Sequence, residues 1–140
     1  MQFNGRHALL DPYLSDSLTV KYEKTDKPHV RMTERVIAPE RLGFVDVVTS
    51  SHNHTDHLDA ETLQPLFATN PDAKLVIPSV NRATVAERVP GVEPVGVEIG
   101  TSVTIDSFTI QPENVAIDAP TASPSRRGIF CFVKEPLWET

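Results

Sequence analysis

Apolar residues in this chain fall into short runs separated by polar and proline-rich stretches, and those runs place the elements. "RHALLD" at 6–11 is a brief apolar run closed by Asp11-Pro12, the pattern of a strand meeting a turn. "FVDVVTS" at 44–50 is dense in β-branched and aromatic residues, and "AKLVIP" at 73–78 repeats the pattern, so both predict buried strands. Between them "DAETLQPLFATN" opens with Asp59 as an N-cap and sets Leu63, Leu66 and Phe67 on one helical face, with Pro65 expected to bend or shorten the helix. Ser79 is the expected cap of "VNRATVAERV", a helix with Val80, Ala83 and Val89 as its apolar stripe and Gly91 as its stop. "SVTID" and "FTIQP" alternate around Asp106-Ser107 and predict a hairpin, and "IFCFV" at 129–133 predicts a last strand.

Elsewhere the pattern is weaker. Residues 15–35 are polar and mixed in charge without a period, which reads as a long loop containing the solvated run "EKTDK". "APERL" at 38–42 predicts one helical turn starting near Pro39, and "NVAIDAPTASPSRRG" predicts a loop. The order is strand, loop, strand, helix, strand, helix, hairpin, strand, without an internal repeat. It predicts an α/β (α+β) fold, a mixed β-sheet layered with helices.

Composition adds bounds. At 140 residues the chain has the length of one domain, and 12 prolines with 39% apolar residues favour short elements and many turns without reaching the bias of a disordered chain. A formal charge of −6 argues against a nucleic-acid partner. No stretch approaches the roughly 18 consecutive apolar residues of a membrane span, and "MQFNGRHALLDPYL" lacks the long apolar segment of a signal peptide. Cys131, the one cysteine, sits in an apolar run and reads as a buried thiol, which fits a reducing compartment. The expectation is a cytoplasmic chain that acts on a small molecule, with neither membrane nor nucleic acid as partner.

Chemistry concentrates in "SSHNHTDHLD" at 51–60, which holds three of the chain's 5 histidines. His52 and His54, two apart, project to the same side of an extended backbone. Both imidazoles can then hold one ion such as zinc, whose bonds to histidine nitrogen are about 2.0–2.1 Å. Asp56 and His57 are adjacent and reach a second ion only through a tight turn. Two ions about 3.5–4 Å apart can activate one water between them. Imidazole with carboxylate suits zinc, iron, manganese or nickel. His7 and His29 read as singletons without a metal role, and Arg126-Arg127 as a solvated pair.

"HNHTDH" resembles the His-x-His-x-Asp-His signature of the metallo-β-lactamase superfamily. "LLDPYLSDSL" with "VDVVTSSHNHTDHLD" is similar to its branch of ascorbate-phosphate lactonase-like hydrolases. The resemblance covers about Phe3 to Pro112. It implies an αββα sandwich with one or two divalent ions, foremost zinc with manganese or iron as alternatives, at the edges of its sheets. It implies His52 and His54 on the first metal, and Asp56 and His57 on the second. Asp56 would also orient or deprotonate a water attacking an ester, lactone or phosphoester. Asp11 matches the acidic residue that supports the metal loop from behind, although an ordinary Asp-Pro turn accounts for it equally well.

The chain also departs from that pattern. The family continues with another histidine, a bridging aspartate and a final histidine, whereas no histidine follows His57 here. Glu113 is a weak further candidate ligand where the next one falls, beside Asn114, and Asp118 is the nearest aspartate. Family members also open with a strand ahead of the one at 6–11. The expectation is therefore a partial αββα sandwich: residues 1–112 as the N-terminal half of the domain, and 113–140 as a divergent loop and terminal strand at a truncation point. Metal binding is expected ahead of efficient catalysis. The alternative function is a catalytically inactive metal-binding or assembly fragment, one that associates with itself or with a completing partner chain.

Overall fold

The computed structural model describes residues 1–112 in full, and 113–115 and 128–134 as strand backbone. The expectations for Asp118, Arg126 and Arg127 lie outside these described residues, as do those for the side chains of Glu113, Asn114 and Cys131.

Two sheets and three α-helices make up the described part. The first sheet has the order β1 (Gln2–Phe3), β2 (Arg6–Leu10), β3 (Val47–Thr49), β4 (Lys74–Pro78), β5 (Val95–Val97). β1 is antiparallel to β2, and β2 to β5 run parallel with one another. The second sheet is antiparallel: β6 (Val103–Ile105), β7 (Phe108–Val115), β8 (Gly128–Lys134). The helices are α1 (Ser17–Tyr22), α2 (Ala60–Thr69) and α3 (Arg82–Arg88).

A parallel sheet is covered on both faces, so its strands read as continuous apolar runs instead of alternating ones. Val48, Leu75 and Ile77 turn to one face and pack with Leu63, Leu66 and Phe67 of α2 and with Val85 on α3 and Val89 just beyond it. Ala8, Val47, Val76 and Val97 turn to the other face and meet Phe108 and Ile110 of the second sheet. The first sheet is thus the middle layer of helix, sheet, sheet, consistent with part of an αββα sandwich. Each such side chain removed from water contributes roughly 1.5–3 kcal/mol.

Local chemistry sets the boundaries. Asp59 starts α2: its carboxylate accepts from Thr62 N at 3.1 Å and Thr62 Oγ1 at 2.5 Å. Asn70 ends the helix, donating from its side chain to Leu66 O and Leu42 O and accepting from Val45 N, which pins the helix end to the approach of β3. Pro65 sits inside α2, and the helix still spans ten residues. The predicted hairpin is present, with Ile105 opposite Phe108 and Asp106 at φ 52° in its two-residue turn.

Four features differ from the expectations. The region 15–35 contains α1, none of whose residues is buried, so no apolar period announces it. Ser17 Oγ donates to Asp59 and Leu18 N to the Tyr13 hydroxyl, tertiary contacts that hold the helix in place. A short β1 precedes β2 through an Asn4-Gly5 turn with φ of 49° and 74°, the primed geometry that suits a hairpin. β5 is three residues with Gly96 at its centre, too short for a pattern; a Cβ there would lie 2.7 Å from the Arg82 guanidinium. Finally, Ser79 caps nothing. Residues Ser79–Asn81 form a 3-10 turn, and the Ser79 hydroxyl donates to Val97 O at 3.3 Å. That tighter turn changes the phase of the helix, so Val85 and Val89 face the core while Val80 stands 86% exposed and Ala83 is exposed.

Candidate metal centre

The site forms where β2 and β3 end, at the carboxyl edge of the parallel strands, the edge at which open α/β sheets take ligands. β3 stops after Thr49 because the following residues bond to side chains and turns in place of a neighbouring strand. Ser50 N still reaches Val76 O at 3.0 Å, and its hydroxyl turns back to His52 O at 3.0 Å. The loop then closes on itself: His57 N and Leu58 N both donate to His54 O, at 3.0 and 2.8 Å. Two residues later Asp59 begins α2. The residues between β3 and α2 are therefore held at both ends by regular structure.

His52, His54 and Asp56 come together. One ligand atom from each lies within 4.8 Å of the others. The His52 and His54 rings meet edge to face with centroids 4.6 Å apart. His52 is half-buried, and burial first, then the neighbouring His57 and His54, push its pKa below the usual histidine value. The neutral imidazole that a metal requires is thereby favoured. Two imidazoles and a carboxylate suit a divalent ion, and three protein donors with one position left open is the pattern of a catalytic zinc.

His57 occupies a different position. Its Nδ1 lies 2.6 Å from Asp11 Oδ2, its Nε2 lies 3.3 Å from Asp56 Oδ2, and its ring is tilted at 45° against that of His52 with centroids 3.9 Å apart. A histidine fixed through one nitrogen by a carboxylate, with the other nitrogen turned towards a metal site, is the usual arrangement of a supported ligand. Asp11 is the hub of this support. Beyond His57, it accepts from Ser51 N at 2.8 Å and from the Ser51 hydroxyl in a very short contact. Asp11 holds φ at 45°, a left-handed conformation that aspartate tolerates better than most residues, and its own N–H donates to Thr49 O. Both earlier readings of Asp11 therefore hold together, since the turn is what aims the carboxylate at the loop.

Glu113 lies on β7 opposite Phe130. A cleft of about 540 Å³ opens beside His54 and Asp56, walled by Lys21, Tyr22, His29 and Arg88. Lys21 Nζ reaches Thr55 Oγ1 at 3.1 Å, and the Tyr22 and His29 rings stack at 4.3 Å. Sequence reasoning missed the contribution of Lys21, Ser51 and Arg88, and it read His29 as idle. Only Ser51 lies near the motif; the others come from elements 20 or more residues away in the chain. His7, at the far end of β2, packs edge to face on Phe44 at 4.9 Å and takes no part.

No helix among the described residues is long and apolar enough to cross a membrane. No curated protein matches the chain. The family model described as the beta-lactamase superfamily domain matches residues 1–136, nearly the whole sequence and the histidine loop with it. With the helix–sheet–sheet layering and the His52–His54–Asp56 group at the strand ends, the chain belongs to the beta-lactamase superfamily.

Proposed function

We propose that this protein is a metal-dependent hydrolase acting on an ester, lactone or phosphoester of a small molecule. The observation that carries the reading is the convergence of His52, His54 and Asp56 within 4.8 Å of one another beside an open cleft. Zinc is the foremost ion, with manganese or iron as alternatives, and one or two ions are held. His52, His54 and Asp56 would hold the first ion, and His57 Nε2 lies beside Asp56. A divalent ion bound there would supply an acidified water near neutral pH and polarise the oxygen under attack.

The rest of the chemistry belongs to the protein's own groups. The second oxygen of Asp56 orients the attacking water and accepts its proton, then returns it to the leaving oxygen. Asp11 keeps His57 in one tautomer by accepting from Nδ1. Lys21 and Arg88, with the stacked Tyr22 and His29, form the wall against which substrate lies. Similarity of "LLDPYLSDSL" to the ascorbate-phosphate lactonase-like branch supports a lactone or ester ahead of the other classes. The lone Cys131 suits a reducing, cytoplasmic setting.

Elemental analysis of the gently purified protein tests the reading. One or two equivalents of zinc, manganese or iron per chain are expected, falling to none in a His52→Ala, His54→Ala double variant. Turnover of a chromogenic ester or phosphodiester panel by the metal-loaded protein then separates a hydrolase from a fragment that only holds metal. A wild-type protein that takes up none of these ions ends the proposal.

A further inference from the structure

The metal loop is fastened from a direction that the motif does not contain. Arg88, the last residue of α3, lies 30 or more residues from the loop in sequence. A single nitrogen of its guanidinium, Nη1, donates to Asn53 O at 2.7 Å and to Leu58 O at 3.1 Å. Asn53 directly precedes His54, and Leu58 directly follows His57. One charged amino group therefore ties together the two ends of the segment that carries His54, Asp56 and His57. The backbone of Arg88 is itself fixed, because Gln64 Nε2 of α2 donates to Arg88 O at 2.8 Å. Arg88 thus has an anchored base and a charged fork, and a charged donor to a carbonyl is stronger than a neutral one.

The other supports act elsewhere. Asp11 holds Ser51 and the His57 ring, and Lys21 touches Thr55 at mid-loop. Within the loop, His57 N and Leu58 N close a turn on His54 O, and the Arg88 contact with Leu58 O locks the carbonyl side of the same residue. Leu58 is also anchored by its fully buried side chain, and Arg88 adds a charged bond to its carbonyl.

We propose that Arg88 is a positioning residue of the metal centre, clasping the loop at Asn53 and Leu58 so that His54, Asp56 and His57 are preset for an ion. This rests on the metal reading above, and the test separates the two. Arg88→Met keeps the length of the side chain and removes its donors. Arg82→Met is the control: Arg82 lies on the same helix, but its Nη1 donates to Pro94 O at 2.7 Å, away from the loop. Zinc affinity of the full chain, measured by calorimetric titration, is expected to fall about 10–100-fold in Arg88→Met, as for other residues that orient ligands, and by less than twofold in Arg82→Met. Amide hydrogen exchange of the metal-free protein is expected to quicken at His57 and Leu58 in Arg88→Met alone.

Equal loss of zinc affinity in both variants, or unchanged exchange at His57 and Leu58 in Arg88→Met, overturns the clasp. Should the wild type bind no zinc while exchange still quickens in Arg88→Met, the metal reading fails; Arg88 still clasps the loop, but its role in presetting an ion site is overturned. If Arg88→Met does not fold, Arg88→Lys, which keeps the charge but reaches fewer acceptors, carries the same two measurements with a smaller expected loss.

Discussion

The two ends of the central sheet each carry an aspartate that accepts several hydrogen bonds, and only one of them stands beside a cluster of imidazoles. At the amino end, Asp46 precedes β3 and accepts from Arg6 Nη1 at 2.6 Å and from His7 N at 2.7 Å. Its charge is met by the Arg6 guanidinium. At the carboxyl end, Asp11 follows β2 and accepts from Ser51 and His57, beside the group formed by His52, His54 and Asp56. The hollow beside Asp46 is the larger, about 590 Å³ against about 540 Å³ beside His54. Size therefore does not distinguish the ends. What distinguishes them is the chemistry beside each aspartate: a guanidinium at the amino end, imidazoles and a second carboxylate at the carboxyl end.

The sharpest way to break this comparison is to neutralise each aspartate in turn. Asp11→Asn is expected to weaken zinc binding about 10–100-fold, because the amide no longer fixes the His57 tautomer. Asp46→Asn is expected to leave zinc affinity unchanged, and equal losses in the two titrations would show that the ends are not distinct. The same Asp46→Asn variant is expected to melt about 3 °C lower, what roughly 1 kcal/mol is worth in a domain of this size. Differential scanning of the metal-free proteins measures it.

The smallest effect is one of pH. Burial opposes ionisation of Asp46, but bonds from His7 N and Arg6 outweigh it and hold its pKa below the ordinary 3.8. A carboxyl whose pKa is depressed on folding adds stability above its unfolded value, and that stability is lost as pH falls through the folded value. The wild type is thus expected to lose part of its margin over Asp46→Asn only below about pH 4. A constant margin from pH 6 to pH 3 would show that the Arg6 pair is too exposed to matter.

Legibility differed by region for reasons that particular residues make plain. The runs at 44–50 and 73–78 were readable because a strand buried on both faces needs apolar residues throughout; Val47 and Val48 face opposite layers, and both are fully buried. Leu63, Leu66 and Phe67 were readable because one buried helical face imposes a period. α1 buries none of its residues and β5 is three residues long, so neither leaves a periodic trace. The Val80 stripe failed because a 3-10 turn, invisible to an apolar count, changed the helical phase. The candidate ligands His52, His54 and Asp56 were legible since they are compact in sequence. Of their supports, Asp11 was suggested through the resemblance, whereas Lys21 and Arg88 left no trace because they meet the loop only through space.

The sequence by itself determined the ingredients: the strands that make the middle layer, the helix that Asp59 starts, and a loop rich enough in imidazole and carboxylate to hold an ion. These are local properties, set by side-chain type and spacing within a dozen residues. The tertiary structure alone decided which groups face one another. It brought Asp56 to the side of His52 and His54, turned His57 against Asp11, and placed Arg88 across both ends of the loop. Such meetings depend on how β2, β3 and α3 are packed against one another, and packing joins residues that the chain itself keeps far apart.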